Sequence, residues 1–291
     1  MTLRALVTGA GGLIGNYLVK TAHRWAPGWN IVGLARSDFD LTDTKRLDSY
    51  WLRDKPDLVI HCAAVSRISD CERDPDHAQR VNVRATAHLA KLAEAVPFIF
   101  LSSADVFDGK KGRYEESDNP VPLSVYGRTK LDAERIVLQN PRHTVLRIVL
   151  TAGVSVRADR SFVEEMSRTA QAGKPITLYT DEFRCPLPAG VIARIVWEVV
   201  GRDRPGLYHV AGSERLSRWE IGDLLSRWYP ELQGRLVAGS ARTHLGVPRP
   251  ADLSLRCEKL QRMLSFRIPG FREWLDGRAG RGRDLWDYER G

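Results

Sequence analysis

Short apolar segments alternate with longer amphipathic segments through the first half of the chain. The apolar segments cover residues 3–8, 30–35, 57–63, 97–102 and 143–149. Continuous apolar runs of this length predict strands that are buried on both faces, and the helix-like intervals between them predict βαβ crossovers. The pattern therefore predicts an α/β fold built on a doubly wound parallel sheet.

After residue 150 the pattern becomes less regular, and proline-containing loops separate the elements. It predicts a helix over 189–201, a strand over 206–211 and a helix over 217–229. We interpret the chain as two lobes with some segments crossing between them. They are a Rossmann domain over 1–150 and a smaller α/β substrate-binding lobe over 151–276, followed by a tail over 277–291.

The composition indicates a globular protein, since 43% of the residues are apolar. The net charge of +8 comes from arginines spread along the chain, so we predict no nucleic-acid groove. No apolar run approaches about 18 residues, and we expect neither a membrane span nor a signal peptide. The four cysteines are widely spaced without a CxxC pair, so we expect reduced thiols, no metal site and a cytoplasmic location.

A glycine-rich stretch, "VTGAGGLIG", directly follows the first predicted strand and carries Gly9, Gly12 and Gly15. These glycines permit a tight turn, a close approach of pyrophosphate to the backbone and close packing of helix on strand. Leu13 and Ile14 fall at the start of the following helix, where free amide groups and the helix dipole attract phosphate. The stretch therefore predicts a dinucleotide-binding loop.

The end of the second predicted strand indicates which dinucleotide is bound. Arg36 stands where an acidic residue would hold the ribose 2′-hydroxyl of NAD. A guanidinium group can instead pair with a 2′-phosphate, which favours NADP(H) and leaves NAD(H) possible. In the alternative interpretation, Arg36 is a solvated loop residue, and Asp38 or Asp40 binds the ribose.

A tyrosine and a lysine lie four residues apart in "YGRTK", near the start of a predicted helix. Tyr126 and Lys130 therefore project from the same helix face. A nearby ammonium group would lower the pKa of the phenol from about 10 and suit it to general acid or base catalysis. Ser102 or Ser103, at the end of the fourth predicted strand, would supply a hydroxyl group to a substrate carbonyl.

Together, "TGAGGLIG", "SSADVFDG" and "YGRTK" resemble the extended short-chain dehydrogenases/reductases, and within them the dTDP-4-dehydrorhamnose reductase family. The resemblance implies that Ser103 is the catalytic hydroxyl, Tyr126 the proton donor, and Lys130 the residue that tunes the tyrosine and binds the nicotinamide ribose. It further implies a possible homodimer, adenine contacts from Asp40 and Leu41, and cofactor contacts from Ala63 and Ala64.

Two segments depart from the family pattern. Ala104 and Asp105 replace the usual Asp-Tyr pair after the serine, and "DEFRCPLPAG" lacks the usual "DQxGxPT" pattern. Arg67, Arg147 and Arg184 could each bind a nucleotide diphosphate, but each is individually expected to be a surface or packing residue.

The resemblance implies an NADP(H)-dependent reductase of a nucleotide-activated 4-keto-6-deoxy sugar. Two alternatives stay open. The first is a sugar-nucleotide epimerase or dehydratase with tightly bound NAD. The dehydratases have an acid next to the catalytic hydroxyl, and Asp105 lies two residues after Ser103. The second is a non-catalytic NADP-binding regulatory subunit, the role that one branch resembling this family has for methionine adenosyltransferase.

Overall fold

The computed structural model describes residues 3–38, 40–279 and 285–286. Part of the predicted tail, residues 280–284 and 287–291, therefore lies outside the described residues. The strands in chain order are β1 (Leu3–Thr8), β2 (Trp29–Leu34), β3 (Leu58–His61), β4 (Phe98–Ser103), β5 (His143–Ile148), β6 (Thr151–Ala152), β7 (Ile176–Tyr179), β8 (Phe183–Arg184), β9 (Leu187–Pro188), β10 (Gly206–Val210), β11 (Leu216–Ser217) and β12 (Leu236–Gly239).

Helices connect these strands. They are α1 (Leu13–Trp25), α2 (Thr44–Asp54), α3 (Ile68–Arg73), α4 (Pro75–Gln79), α5 (Ala85–Leu92), α6 (Val125–Val137), α7 (Phe162–Gln171), α8 (Ala189–Arg202), α9 (Arg218–Ser226), α10 (Glu258–Gln261) and α11 (Phe271–Asp276). Short 3-10 turns cover Ala104–Val106, Pro230–Leu232 and Ala241–Thr243, and a π-helical turn covers Arg80–Arg84.

Six strands form one parallel sheet in the order β10-β5-β4-β3-β1-β2. The order reverses between β1 and β3, and the carboxyl ends of strands at such a switch point form the ligand crevice of a doubly wound sheet. The predicted fold class is confirmed. The third predicted strand stops at His61, because the chain then turns to pass beside Gly9.

The second half of the chain contributes directly to this sheet. Strand β10 pairs with β5, and helix α8 packs on α1, where the Trp197 indole donates to the Leu18 carbonyl at 3.1 Å. The remaining strands form three two-stranded sheets, β6-β9, β8-β11 and β7-β12. The division at residue 150 stays a prediction, with at least one strand and one helix crossing it.

The helix predicted over 217–229 is shorter in the structure and ends at Ser226. Pro230 follows closely, and a proline disfavours helical backbone in the residue before it. Near the chain end, Trp286 is buried and its ring stacks on Trp274 with centroids 5.0 Å apart. This part of the predicted tail therefore packs against the second half. Among the described residues, none of the helices has both the length and the apolar character needed to span a membrane.

Candidate active site

The glycine loop joins β1 to α1 through backbone approaches that only glycine permits. Gly9 has a φ of +71°, and a Cβ there would lie 2.7 Å from the Ala63 amide nitrogen. A Cβ on Gly15 would lie 2.3 Å from the Gly9 carbonyl oxygen. Helix α1 starts without a side-chain cap or an acidic residue in its first turn, so its first amide groups and positive dipole end favour a phosphate.

The predicted cofactor residues lie along one cavity of about 1130 Å³, which also reaches the predicted catalytic residues. The exposed Arg36 lines its outer end beside Asp40. The Asp40 carboxylate accepts hydrogen bonds from the Thr42 amide and hydroxyl, both at 2.9 Å. This bonding lowers the pKa of Asp40 despite opposing desolvation. All thirteen predicted residues line the cavity: Gly9, Gly12, Leu13, Ile14, Gly15, Arg36, Asp40, Leu41, Ala63, Ala64, Ser103, Tyr126 and Lys130.

Helix α6 presents Tyr126 and Lys130 to this cavity. Ser124 caps its start by accepting from the Gly127 amide at 3.1 Å. A Cβ on Gly127 would lie 2.2 Å from the Asp105 carbonyl oxygen, so the first turn packs directly on the segment that follows β4. This contact places Tyr126 beside the carboxyl end of the sheet.

Lys130 is 2% exposed, and its Nζ donates to the Leu101 carbonyl at 2.6 Å. The ammonium group also lies 3.9 Å from the centroid of the Phe100 ring. Burial lowers the pKa of Lys130 to about 7, although the Glu134 carboxylate acts in the opposite direction. Glu134 is itself held by Arg147, whose Nη2 lies 2.8 Å from its carboxylate.

The expectation that Lys130 lowers the pKa of Tyr126 is wrong for this structure. Desolvation raises the pKa of Tyr126 well above its usual value, and the Asp105 carboxylate raises it further. Hydrogen bonding with the Ser103 side chain partly opposes both effects. The phenol therefore keeps its proton here, because desolvation and the neighbouring Asp105 carboxylate both disfavour the phenolate.

Ser103 interacts with a residue that the predicted site did not include. Its Oγ donates to Asp105 Oδ2 at 2.8 Å and accepts from the Asp105 amide at 3.2 Å. The neighbouring Ser102 also lines the cavity, and its Oγ is buried without a hydrogen-bond partner among the described residues. The sequence left open which serine faces the ligand, and the structure brings both to the cavity wall.

Arginines gather around one carboxylate at the far side of the cavity. Glu182 is 1% exposed, and it forms ion pairs with Arg184 at 3.0 Å and Arg249 at 2.5 Å. Burial acts to raise the pKa of Glu182, but Arg249, Arg184 and Arg218 together outweigh it and the pKa falls. Arg218 also lines the cavity, and its Nη1 is buried without a partner among the described residues. Burial lowers the pKa of Arg218 to about 10, so it stays cationic at neutral pH.

The three arginines considered from the sequence have different surroundings. Arg184 lines the cavity. Arg147 is 3% exposed and pairs with Glu134 behind the site, so it is a packing residue. Arg67 is exposed, and its Nη2 donates to the Asp159 carbonyl at 2.7 Å. The structure thus places one of the three at the cavity.

Two polar residues support the site from behind. Asn82 accepts from the Val65 amide at 2.8 Å and donates to Thr129 Oγ1 at 3.0 Å, which ties the loop after β3 to helix α6. His61 is buried between Thr8 and Thr86, and desolvation lowers its pKa to about 3. His61 is thus a core histidine with a hydrogen-bond partner at each ring nitrogen. The described residues contain no group of His, Cys, Asp and Glu side chains arranged to hold a metal ion.

The family model described as the RmlD substrate binding domain matches residues 3–279. The chain belongs to this family. A dTDP-4-dehydrorhamnose reductase from Sinorhizobium fredii is 33% identical to this RmlD-family chain over 286 residues, covering 93% of the chain and 95% of the relative. The predicted resemblance to the dTDP-4-dehydrorhamnose reductases is confirmed.

Two further proteins are similar to this chain over most of its length. Methionine adenosyltransferase 2 subunit beta from Xenopus laevis is 31% identical over 301 residues, covering 98% of this chain and 88% of the relative. The crystal structure of dTDP-4-dehydrorhamnose reductase from Bacillus anthracis in complex with NADP superimposes with a TM-score of 0.85 at 21% identity, covering 94% of this chain and 97% of that chain. This structural likeness shows a shared fold.

Sequence reasoning about this RmlD-family chain missed the cluster of Glu182, Arg218 and Arg249. These residues are far apart in the sequence and meet through two contacts of segment 182–185. The Phe183 amide donates to the Ala251 carbonyl at 2.6 Å, and the Arg218 amide donates to the Glu182 carbonyl at 2.8 Å. The one available signal was the unusual "DEFR" sequence of that segment.

Proposed function

We propose that this protein is an NADPH-dependent reductase of a nucleotide-activated 4-keto-6-deoxy sugar. The observation that carries the proposal is the cavity that joins a dinucleotide loop to Ser103, Tyr126 and Lys130. The 33% identical relative named dTDP-4-dehydrorhamnose reductase supports the same activity.

The residues present fit an NADP cofactor. The uncapped start of α1 suits the pyrophosphate, and the exposed Arg36 suits a 2′-phosphate. The Asp38 carboxylate accepts from the Ala35 amide at 2.6 Å, and the Asp40 carboxylate accepts from the Thr42 amide at 2.9 Å, so each of these two acids makes a hydrogen bond within its own loop. The related Bacillus anthracis structure is described as a complex with NADP.

The roles of the catalytic residues follow from their chemistry. When bound, the nicotinamide supplies a hydride to the keto carbon. Tyr126 gives its proton to the developing alkoxide, which is a stronger base than the phenolate that remains. Ser103 stabilises the alkoxide oxygen, and Lys130 binds the nicotinamide ribose through its remaining hydrogens.

The nucleotide diphosphate of the substrate is placed in this proposal against Arg184, Arg218 and Arg249. Guanidinium groups pair well with phosphate oxygens, and the unpartnered Nη1 of Arg218 is a buried donor in need of an acceptor. A homodimer and a cytoplasmic location remain part of the proposal, and the free thiols of all four cysteines support the latter. Light scattering of the purified protein tests the dimer.

A regulatory role is the second candidate, because subunit beta of methionine adenosyltransferase 2 is 31% identical over nearly the whole chain. The chain is similar to proteins of both names at nearly the same identity, so the distinction rests on turnover. A regulatory subunit binds NADP without reducing any keto sugar.

The deciding experiment is NADPH oxidation across a panel of nucleotide 4-keto-6-deoxy sugars, with wild type and Tyr126→Phe compared. Loss of the general acid should lower kcat by about 10²- to 10⁴-fold and leave NADPH affinity unchanged. Tyr208→Phe is the matched control, because Tyr208 donates to the Arg204 carbonyl away from the cavity. Wild-type protein that binds NADPH but is inert on the whole panel would favour the regulatory role. Purification with stoichiometric NAD would favour an epimerase or dehydratase.

A further inference from the structure

The hydroxyl hydrogen of Ser103 is directed at Asp105. A serine hydroxyl has a single hydrogen to donate, and in this structure Asp105 Oδ2 accepts it at 2.8 Å. The Asp105 amide occupies one acceptor position of the same oxygen. In this arrangement the Ser103 hydrogen points to Asp105, and it becomes available to a substrate carbonyl when another donor takes its place at Asp105.

The position of Asp105 is fixed by the backbone. It lies in the 3-10 turn Ala104–Val106, and its carbonyl packs against Gly127 at the start of α6. The side chain lines the cavity, and its negative charge acts on Tyr126. An ionised carboxylate offers about four acceptor positions, so Asp105 can accept further hydrogen bonds from a ligand.

The neighbouring arginines leave the remaining acceptor positions of the Asp105 carboxylate available to a ligand. Arg184 and Arg249 are close enough to interact electrostatically with Asp105, but both form their ion pairs with Glu182. Neither arginine lies at ion-pair distance from Asp105, so they do not occupy its acceptor positions.

We infer that Asp105 is a specificity-determining residue that accepts a hydrogen bond from a substrate hydroxyl on the carbon next to the keto group. The inference rests on the proposed function and narrows its substrate class to α-hydroxy ketones. The 2.8 Å between Ser103 Oγ and Asp105 Oδ2 suits a ligand whose keto and hydroxyl oxygens are on adjacent carbons. The substrate hydroxyl replaces Ser103 as the donor to Asp105, and the Ser103 hydrogen turns to the keto oxygen.

No proton is gained or lost when the substrate hydroxyl replaces Ser103 as the donor to Asp105. During reduction the hydride adds to the keto carbon, the carbonyl π bond breaks, and the Tyr126 proton is transferred to the resulting alkoxide. Asp105 acts only as a hydrogen-bond acceptor in this step, and Ser103 keeps its hydrogen throughout. A keto sugar without the adjacent hydroxyl leaves Ser103 bonded to Asp105, so the alkoxide loses one of its two donors.

The test compares two nucleotide 4-keto-6-deoxy sugars that differ only in having a hydroxyl or a hydrogen at C3. Losing one donor to a developing oxyanion costs about 10²- to 10³-fold in rate, so wild type should prefer the hydroxylated substrate by about 100-fold in kcat/KM. Asp105→Ala should reduce this preference to less than about tenfold. It should also raise kcat on the deoxy substrate, because Ser103 is released from Asp105.

The increase in kcat of Asp105→Ala on the deoxy substrate is the decisive measurement, since a variant with structural damage alone would lose activity on both substrates. Asp105→Asn keeps an acceptor oxygen and should retain most of the preference. Asp132→Asn, a partly exposed position on the same α6, is the matched control and should behave as wild type. When Asp105→Ala is combined with Ser103→Ala, it should no longer raise activity on the deoxy substrate.

Failure of the inference about Asp105 can be distinguished from failure of the proposed function. NADPH oxidation with a wild-type preference close to one, or an Asp105→Ala variant that loses activity equally on both substrates, overturns the inference and leaves the reductase intact. No oxidation on either sugar by wild type contradicts the proposed function, and with it the role of Asp105.

Discussion

The two ends of the cavity are built in different ways. The cofactor end is made mainly of backbone, with Gly9 and Gly15 allowing close approaches and the start of α1 offering its amide groups. The substrate end is made of charged side chains from distant segments, with Asp105, Glu182 and Arg218 on its wall. Backbone geometry suits the invariant pyrophosphate of a dinucleotide, whereas side chains adapt the site to one substrate.

The two ends also differ in their sequences. The glycine loop has the form that its motif predicts, whereas Asp105, Glu182 and Arg184 lie in the two segments where the resemblance described above is incomplete. Substitutions at the two ends should therefore separate cofactor affinity from substrate affinity.

The largest expected effect is at the cofactor end, in Gly15→Ala. The new Cβ would lie 2.3 Å from the Gly9 carbonyl oxygen, so the loop must move. Overpacking of this kind costs about 1–3 kcal/mol, and we expect NADPH affinity to fall by about 10- to 100-fold, measured by titration of intrinsic fluorescence. Gly28→Ala is the control, since a Cβ there meets no atom within 4 Å. Equal affinities in the two variants would contradict the backbone origin of the cofactor end.

A second prediction concerns Lys130, where the two ends meet. Burial lowers its pKa to about 7 in the folded protein from 10.5. Between these pH values the unfolded chain binds the extra proton, so raising the pH should stabilise wild type relative to Lys130→Met. The expected gain from pH 7 to pH 9 is about 2 kcal/mol in the free energy of unfolding. Urea denaturation at both pH values measures it.

The control for this pH effect is Lys91→Met at an exposed position. Its difference from wild type should not change with pH. A Lys130→Met difference that is likewise constant would show that Lys130 titrates normally.

The third prediction belongs to the substrate end. Arg218→Gln removes the guanidinium group assigned to the diphosphate and should raise KM for the nucleotide sugar by about tenfold, since a hydrogen bond to a charged group contributes about 1.5–3 kcal/mol. Affinity for NADPH should stay unchanged. Arg272→Gln, which removes a surface partner of Glu214, should change neither value. If Arg218→Gln weakened NADPH binding as much as it raised KM for the nucleotide sugar, the cofactor end and the substrate end would not bind their ligands independently.

The smallest effect is expected at Arg36, because its side chain is exposed and screened by water. Exposed ion pairs contribute about 1 kcal/mol or less, so Arg36→Ala should reduce the preference for NADPH over NADH by about fivefold. Competition binding of the two cofactors measures the ratio. Equal wild-type affinities for NADPH and NADH would contradict the 2′-phosphate assignment.

Local patterns carried most of the fold prediction. The alternation of apolar and amphipathic segments predicted five of the six sheet strands, with ends displaced by one or two residues where loops turn. The sixth strand, Gly206–Val210, was predicted as a strand, but in the smaller lobe. Strand pairing over more than 50 residues leaves no periodic signal within the strand itself.

The sequence by itself determined the glycine loop, the helix that carries Tyr126 and Lys130, and the serine at a strand end, because each depends on neighbours within a few residues. Only the tertiary structure decided that the pKa of Tyr126 rises, since desolvation depends on what the fold packs around the phenol. It also decided which arginines face the substrate. Charges from segments more than 30 residues apart converge on Glu182 because the chain fold, and not the local sequence, brings them together.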